Sequence, residues 1–120
     1  MKLAITSSGQ VPESLVDPRF GRAVYFILVD TDTGAFEVHD NTRNLNAAQG
    51  AGIQAAQKVS ELGAKVVITG HCGPKAFRTL RAAGIRVVVG AEGTVAQVLE
   101  AFKTGKLKAT ESADVEGHWA

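Results

Sequence analysis

The chain has one cysteine among its 120 residues, with three prolines and one each of methionine, tryptophan and tyrosine. A lone cysteine cannot close a disulfide within the chain, and it fits a reducing compartment. Four-thiolate ligation of an iron–sulfur cluster by one chain is excluded, and the CxxC spacings of such proteins are absent. Neither sign of charge is in excess: 13 basic and 12 acidic side chains leave a formal net charge of +1. No global field therefore draws the chain to nucleic acid or to a membrane, and a basic site would have to be local. No apolar run approaches the length of a membrane span, and Met1-Lys2-Leu3-Ala4-Ile5 is too short an apolar start for a signal peptide. The expected compartment is the cytoplasm. Nucleotide signatures are missing too: no G-x-G-x-x-G follows the first strand and no P-loop occurs.

What is present is an ordinary globular composition, 45% hydrophobic and 21% charged, long enough for one core and too short for two. Residues 1–106 read as a single domain and 107–120 as a polar C-terminal tail. Lys2 to Thr6 is a short apolar strand. Residues 9–22 hold two of the prolines and read as a long loop or one short helical turn. Ala23 to Asp30 is strongly β-prone, Thr31-Asp32-Thr33-Gly34 is a turn, and Phe36 to His39 alternates in period two, which makes a hairpin. Asp40 to Gly52 is a loop entering a helix whose apolar positions Ala56, Val59 and Leu62 run to Gly63. Val66 to Ile68 is a strand, Pro74 to Ala83 a helix with Phe77 and Leu80 inward, and Ile85 to Val89 a strand. A capping-box spacing at Thr94-Val95-Ala96-Gln97 opens a last helix, with Val95, Val98, Leu99 and Phe102 on one face. The order β-β-β-α-β-α-β-α, with right-handed crossovers, implies an α/β fold: a mixed five-stranded sheet in the order 3-2-1-4-5, flanked by helices.

That topology brings Ser7-Ser8-Gly9, Phe20-Gly21-Arg22, Asp40 to Gly52, Gly70 to Lys75 and Gly90 to Thr94 to one edge, where open α/β sheets bind ligands. Gly70-His71-Cys72-Gly73-Pro74-Lys75 places a thiol, an imidazole and an ammonium where an apolar strand meets a helix start. A helix start offers unpaired N–H groups and a positive dipole end. The alternative is a plain tight turn with Cys72 buried and His71 on the surface. Arg19-Phe20-Gly21-Arg22 sets two guanidiniums around a glycine, which suits an anion and would equally suit a solvated loop with Phe20 in the core. Gly50, Gly52, Gly90 and Gly93 punctuate the neighbouring loops. His39 and His118 have no partners at metal-ligand spacing, and the Trp119 tail reads as a frayed end, with a partner contact as the alternative. His71-Cys72-x5-Arg78-Thr79 matches a thiol phosphatase spacing, with Asp17-Pro18 as a mimic of a general acid. Pro74 opens the helix two residues after Cys72, however, and leaves no room for a phosphate cradle.

Phe20-Gly21-Arg22-Ala23, Gly50-Ala51-Gly52-Ile53, Val67-Ile68-Thr69-Gly70 running into Gly73-Pro74-Lys75-Ala76-Phe77, and Gly93-Thr94-Val95 together resemble the NifX/NifB-type family of dinitrogenase iron–molybdenum cofactor biosynthesis domains. The likeness spans about residues 1–106 and is strongest to the orange-protein branch. It implies an RNase H-like fold and non-catalytic binding or carriage of a metal–sulfur cluster, here a molybdenum–copper sulfide cluster or a related Mo/Fe–S cluster. The radical SAM domain of the larger NifB proteins is absent from these residues. A sulfide-capped cluster is an anion, so the resemblance implies a basic, partly apolar pocket. Arg19, Arg22, Lys75 and His71 would give charge, and the helix at Pro74 would give N–H donors. Phe20 and Pro74 would give apolar walls, and Gly21, Gly70, Gly73 and Gly90 close backbone. Cys72 could touch a metal or only line the wall, and the wall is preferred. The partners expected are the cluster and a protein that exchanges it with a monomeric chain, with no nucleic acid and no membrane.

Overall fold

The computed structural model describes residues 1–41 and 50–109. Its elements are β1 (Lys2–Ser7), β2 (Tyr25–Asp30), β3 (Phe36–Asp40), α1 (Ala51–Glu61), β4 (Val66–Ile68), α2 (Pro74–Ala82), β5 (Arg86–Val88) and α3 (Val95–Lys103). The strands make one sheet in the order β3-β2-β1-β4-β5, as the sequence implies. β2 is antiparallel to β1 and β3 to β2, whereas β4 pairs parallel with β1 and β5 with β4. Parallel pairs need helical crossovers, and these cover both faces. On one face Ala4, Phe26, Leu28, Val67 and Val87 meet Ala55, Ala56 and Val59 of α1 and Ala76, Phe77 and Leu80 of α2. On the other, Leu3, Ile5, Ile27, Val66, Ile68 and Val88 meet Val95 and Val98 of α3, with Leu99, Phe102 and Leu107 packed at the margin. Central strands buried on both faces explain the unbroken runs AVYFILVD and VVI.

Boundaries differ from the sequence reading where local chemistry intervenes. α1 begins at Ala51, two residues before Ile53, and its buried face is mostly alanine: Ala51, Ala55, Ala56 and Val59. Gly63, at φ 86°, then turns the chain where a side chain would be strained. β2 begins at Tyr25 because the Val24 N–H donates to the Asp17 carboxylate at 3.3 Å. Residues 9–22 form no helix. They bend and turn, and are held by single bridges, Ser7 to Val16, Leu15 to Thr94 and Arg19 to His71. Part of the loop read from Asp40 to Gly52, and His118 and Trp119, lie outside the described residues.

Candidate functional site

Helices that connect parallel strands run back against them, so α1, α2 and α3 all start at the rim where β1, β4 and β5 end. Each start presents N–H groups with no partner inside its helix. At α3 these are taken up. The Thr94 hydroxyl accepts the Gln97 N–H at 3.1 Å and the Gln97 side chain accepts the Thr94 N–H at 2.9 Å. The carbonyls of Ser14 and Pro12, in the loop after β1, accept the Val95 and Ala96 N–H groups at 2.9 and 2.8 Å. α1 and α2 start differently. Their caps are the glycines Gly50 and Gly73, and neither start has a side-chain cap among the described residues. Pro74 brings no N–H, and the Gly73 carbonyl accepts from Phe77 at 2.9 Å, so the amides of Lys75 and Ala76 head α2. The two starts are adjacent, since a Cβ built on Gly52 would lie 3.0 Å from the Ala76 Cβ.

Against this pair of helix starts lies the segment that carries both arginines. Its carbonyls at Gly21 and Ala23 accept the Asn41 side-chain amide at 3.3 and 2.8 Å. The Pro18 carbonyl accepts the His71 N–H at 2.7 Å, and the Phe20 N–H donates to the His71 carbonyl at 3.1 Å. The Asp17 carboxylate accepts the Arg19 N–H at 3.0 Å and lies 3.7 Å from Arg19 Nε. Two glycines are needed for closeness rather than for unusual dihedrals. A Cβ on Gly21 would come 2.8 Å from the Gly52 backbone, and one on Gly70 would come 2.7 Å from Pro18. The Gly70 carbonyl in turn accepts the Gly90 N–H at 2.8 Å. Hydrogen bonds join loops 17–24, 70–76 and 90–94, and 50–52 packs closely against the first two, so the four form one rim.

The candidate residues divide into two sets. Arg19, His71 and Lys75 are exposed, Arg22, Gly21, Gly73 and Pro74 are half-buried, Gly90 is exposed, and Gly70 is buried against Pro18. Phe20 and Cys72, expected along the pocket, lie beneath the rim. At 2% and 0% exposure they belong to the core beneath the rim with α1 and α2, and the Phe20 ring sits 5.6 Å from that of Phe26. A loop residue can face either way, and here the sheet face below the loop had apolar space to fill. The phosphatase arrangement does not form, because Cys72 is enclosed whereas Arg78 is exposed on α2. Among the described residues no group of three or more His, Cys, Asp or Glu side chains could hold a metal ion. Asn41 and the structural part played by Asp17, both buried, were not foreseen. The Asn41 side chain reaches the Gly21 and Ala23 carbonyls about twenty residues back, whereas the Asp17 carboxylate meets the nearby Arg19 and Val24 N–H groups and the Arg19 guanidinium.

The family model described as dinitrogenase iron–molybdenum cofactor matches residues 1–105. The apo form of the orange protein from Desulfovibrio gigas is similar at 43% identity and a TM-score of 0.93, over 95% of this chain and 96% of that one. A NifB-like protein from Thermotoga is similar at 38% identity and a TM-score of 0.84, over 97% and 98% of the two chains. An uncharacterized protein of Methanocaldococcus jannaschii is 27% identical over 114 residues, 92% of each chain. By the extent of these matches and by its fold, the chain belongs to the dinitrogenase iron–molybdenum cofactor family.

Proposed function

We propose that this chain binds and carries a preformed molybdenum-containing metal–sulfur cluster, of the molybdenum–copper sulfide type, and catalyses no reaction on it. One observation carries the reading: two neighbouring helix starts that have no side-chain cap among the described residues, bordered by Arg19, Arg22, Lys75 and His71, at a rim whose third helix start is sealed. A sulfide-capped cluster is an anion whose metals already have sulfur ligands. It needs N–H donors and cations, which these residues offer, and it does not need several thiolates. Family membership and the likeness to the orange protein support the same cargo class. Arg19 and Arg22 would neutralise the sulfide face, the Lys75 and Ala76 amides would donate to it, and Cys72 would stay in the core. The chain would act as a monomer in the cytoplasm and exchange the cluster with a protein partner.

The test is anaerobic isolation followed by visible absorption and metal analysis, and then incubation with tetrathiomolybdate and copper. Charge-transfer bands with co-eluting molybdenum, copper and sulfide are expected. Two partly exposed charge-assisted contacts are worth about 1 kcal/mol each or more. Joint Arg19→Ala and Arg22→Ala replacement should therefore lower retention about tenfold to hundredfold, and Cys72→Ser much less. Equal retention by the double variant would sink the electrostatic reading, and a colourless, metal-free protein after both treatments would sink the cargo itself.

A further inference from the structure

Asp17 is a carboxylate buried to 4% exposure beneath the rim, and the binding of an anion above it makes no use of its charge. A buried carboxylate is costly unless donors surround it. Its donors come from one segment. One oxygen accepts the Arg19 N–H at 3.0 Å and lies 3.7 Å from Arg19 Nε, and the other accepts the Val24 N–H at 3.3 Å. One side chain thus ties both ends of the arginine segment to a single point. That point is anchored to the sheet. The Asp17 N–H donates to the Thr6 carbonyl at 3.0 Å, and the Asp17 carbonyl accepts the Thr6 hydroxyl at 2.7 Å. The Thr6 hydroxyl also lies 2.9 Å from that of Thr69, at the end of β4 where the His71 turn begins.

Building on the cargo reading above, we infer that Asp17 is a positioning residue, which sets Arg19 and Arg22 against the starts of α1 and α2 without touching the anion. An opposite effect competes, because a negative charge under an anion site repels the anion, and neutralising it would tighten binding. The geometry favours positioning. Two amides and a guanidinium already meet the charge. Asparagine offers a single acceptor oxygen, so its NH2 would face either the Arg19 or the Val24 N–H donor to donor.

The test compares wild type, Asp17→Asn, Asp17→Glu and Asp32→Asn. The last removes the same charge from an exposed carboxylate that pairs with the N-terminal ammonium at 2.9 Å, on the hairpin turn away from the rim. Retention of tetrathiomolybdate is read by absorption, and amide exchange is read at Arg19 and Val24. Asp17→Asn should lose about tenfold in affinity, one charge-assisted hydrogen bond's worth. The Arg19 and Val24 amides should exchange faster while those of β1 and β4 are unchanged. Asp17→Glu keeps the charge and displaces it by a methylene, so it should lose affinity as well, and it decides the matter if the asparagine variant does not fold. Asp32→Asn should stay within about twofold of wild type. Equal or tighter binding by a folded Asp17 variant overturns the inference. If wild type itself retains no tetrathiomolybdate, the cargo reading fails, and unchanged exchange at Arg19 and Val24 would then overturn the role of Asp17 on its own.

Discussion

Replacing Gly70 by alanine probes whether the rim is a rigid assembly. A Cβ there would stand 2.7 Å from Pro18 Cα, 2.8 Å from its carbonyl oxygen and 3.1 Å from its carbonyl carbon, all backbone atoms. No side-chain rotation can relieve such contacts, so the 17–24 segment must move away from the β4 turn. Two hydrogen bonds cross that seam, from the His71 N–H to the Pro18 carbonyl and from the Phe20 N–H to the His71 carbonyl. Overpacking costs about 1–3 kcal/mol and each weakened bond about 1 kcal/mol. Against this, alanine restricts the unfolded chain and returns about 0.4–1 kcal/mol. The net loss is about 2–4 kcal/mol, roughly 8–16 °C in melting temperature for a domain of this size. The control is Gly73→Ala, three residues on, where a Cβ meets nothing within 4 Å and φ is −69°. There the poorer alanine cap and the gain in the unfolded state offset one another to within about 0.5 kcal/mol. Thermal and denaturant unfolding followed by circular dichroism read both variants. If Gly70→Ala lies within about 1 kcal/mol of Gly73→Ala, the close approach is not what holds the seam, and the rigid-rim reasoning is wrong.

Thr94→Ala removes the hydroxyl that receives the Gln97 amide and should cost about 1–2 kcal/mol in denaturant unfolding. Tetrathiomolybdate retention should not change, because the start of α3 is not part of the proposed site. Asp30 is held below its ordinary value of 3.8, first by the Asp32 N–H, with further help from the Thr33 amide, the N-terminal ammonium and Lys2, against opposition from burial. A lowered carboxyl adds stability that is present above its unfolded value and lost as pH falls through the folded one. Asp30→Asn should therefore lose less stability than wild type on going from about pH 5 to about pH 2.5. An equal acid loss in both proteins would refute that assignment.

Much of this architecture is legible in the chain because its signals are local. Val66-Val67-Ile68 flanked by Gly63 and Gly70 reads as a buried strand, Thr94 and Gln97 announce their helix by spacing alone, and crossover handedness then orders the sheet. The start of α1 was harder to place, because its inward face is built from Ala51, Ala55 and Ala56, which carry little hydrophobic contrast. The site was legible as a gathering of loops and less so as a set of side-chain directions. The sequence reading sets Phe20 and Cys72 along the pocket, whereas both pack into the core under the rim, a choice of direction that their neighbours in the chain do not mark. The Asn41 side chain acts through the Gly21 and Ala23 carbonyls, which only the finished fold brings near, and the burial of Asp17 likewise comes from the fold. Nothing in their neighbours' identities marks them.

The loop after β1 gives the carbonyls of Pro12 and Ser14 to α3, and this has an electrical consequence for the whole molecule. Each helix start carries about half a positive charge. α1 and α2 lie on one face of the sheet and α3 on the other. Sealing α3 leaves the field of the helix starts strong on one flank and muted on the opposite one, although the formal net charge is only +1. On the proposed reading, an anion approaching the arginine flank would be favoured over one approaching the opposite flank before contact.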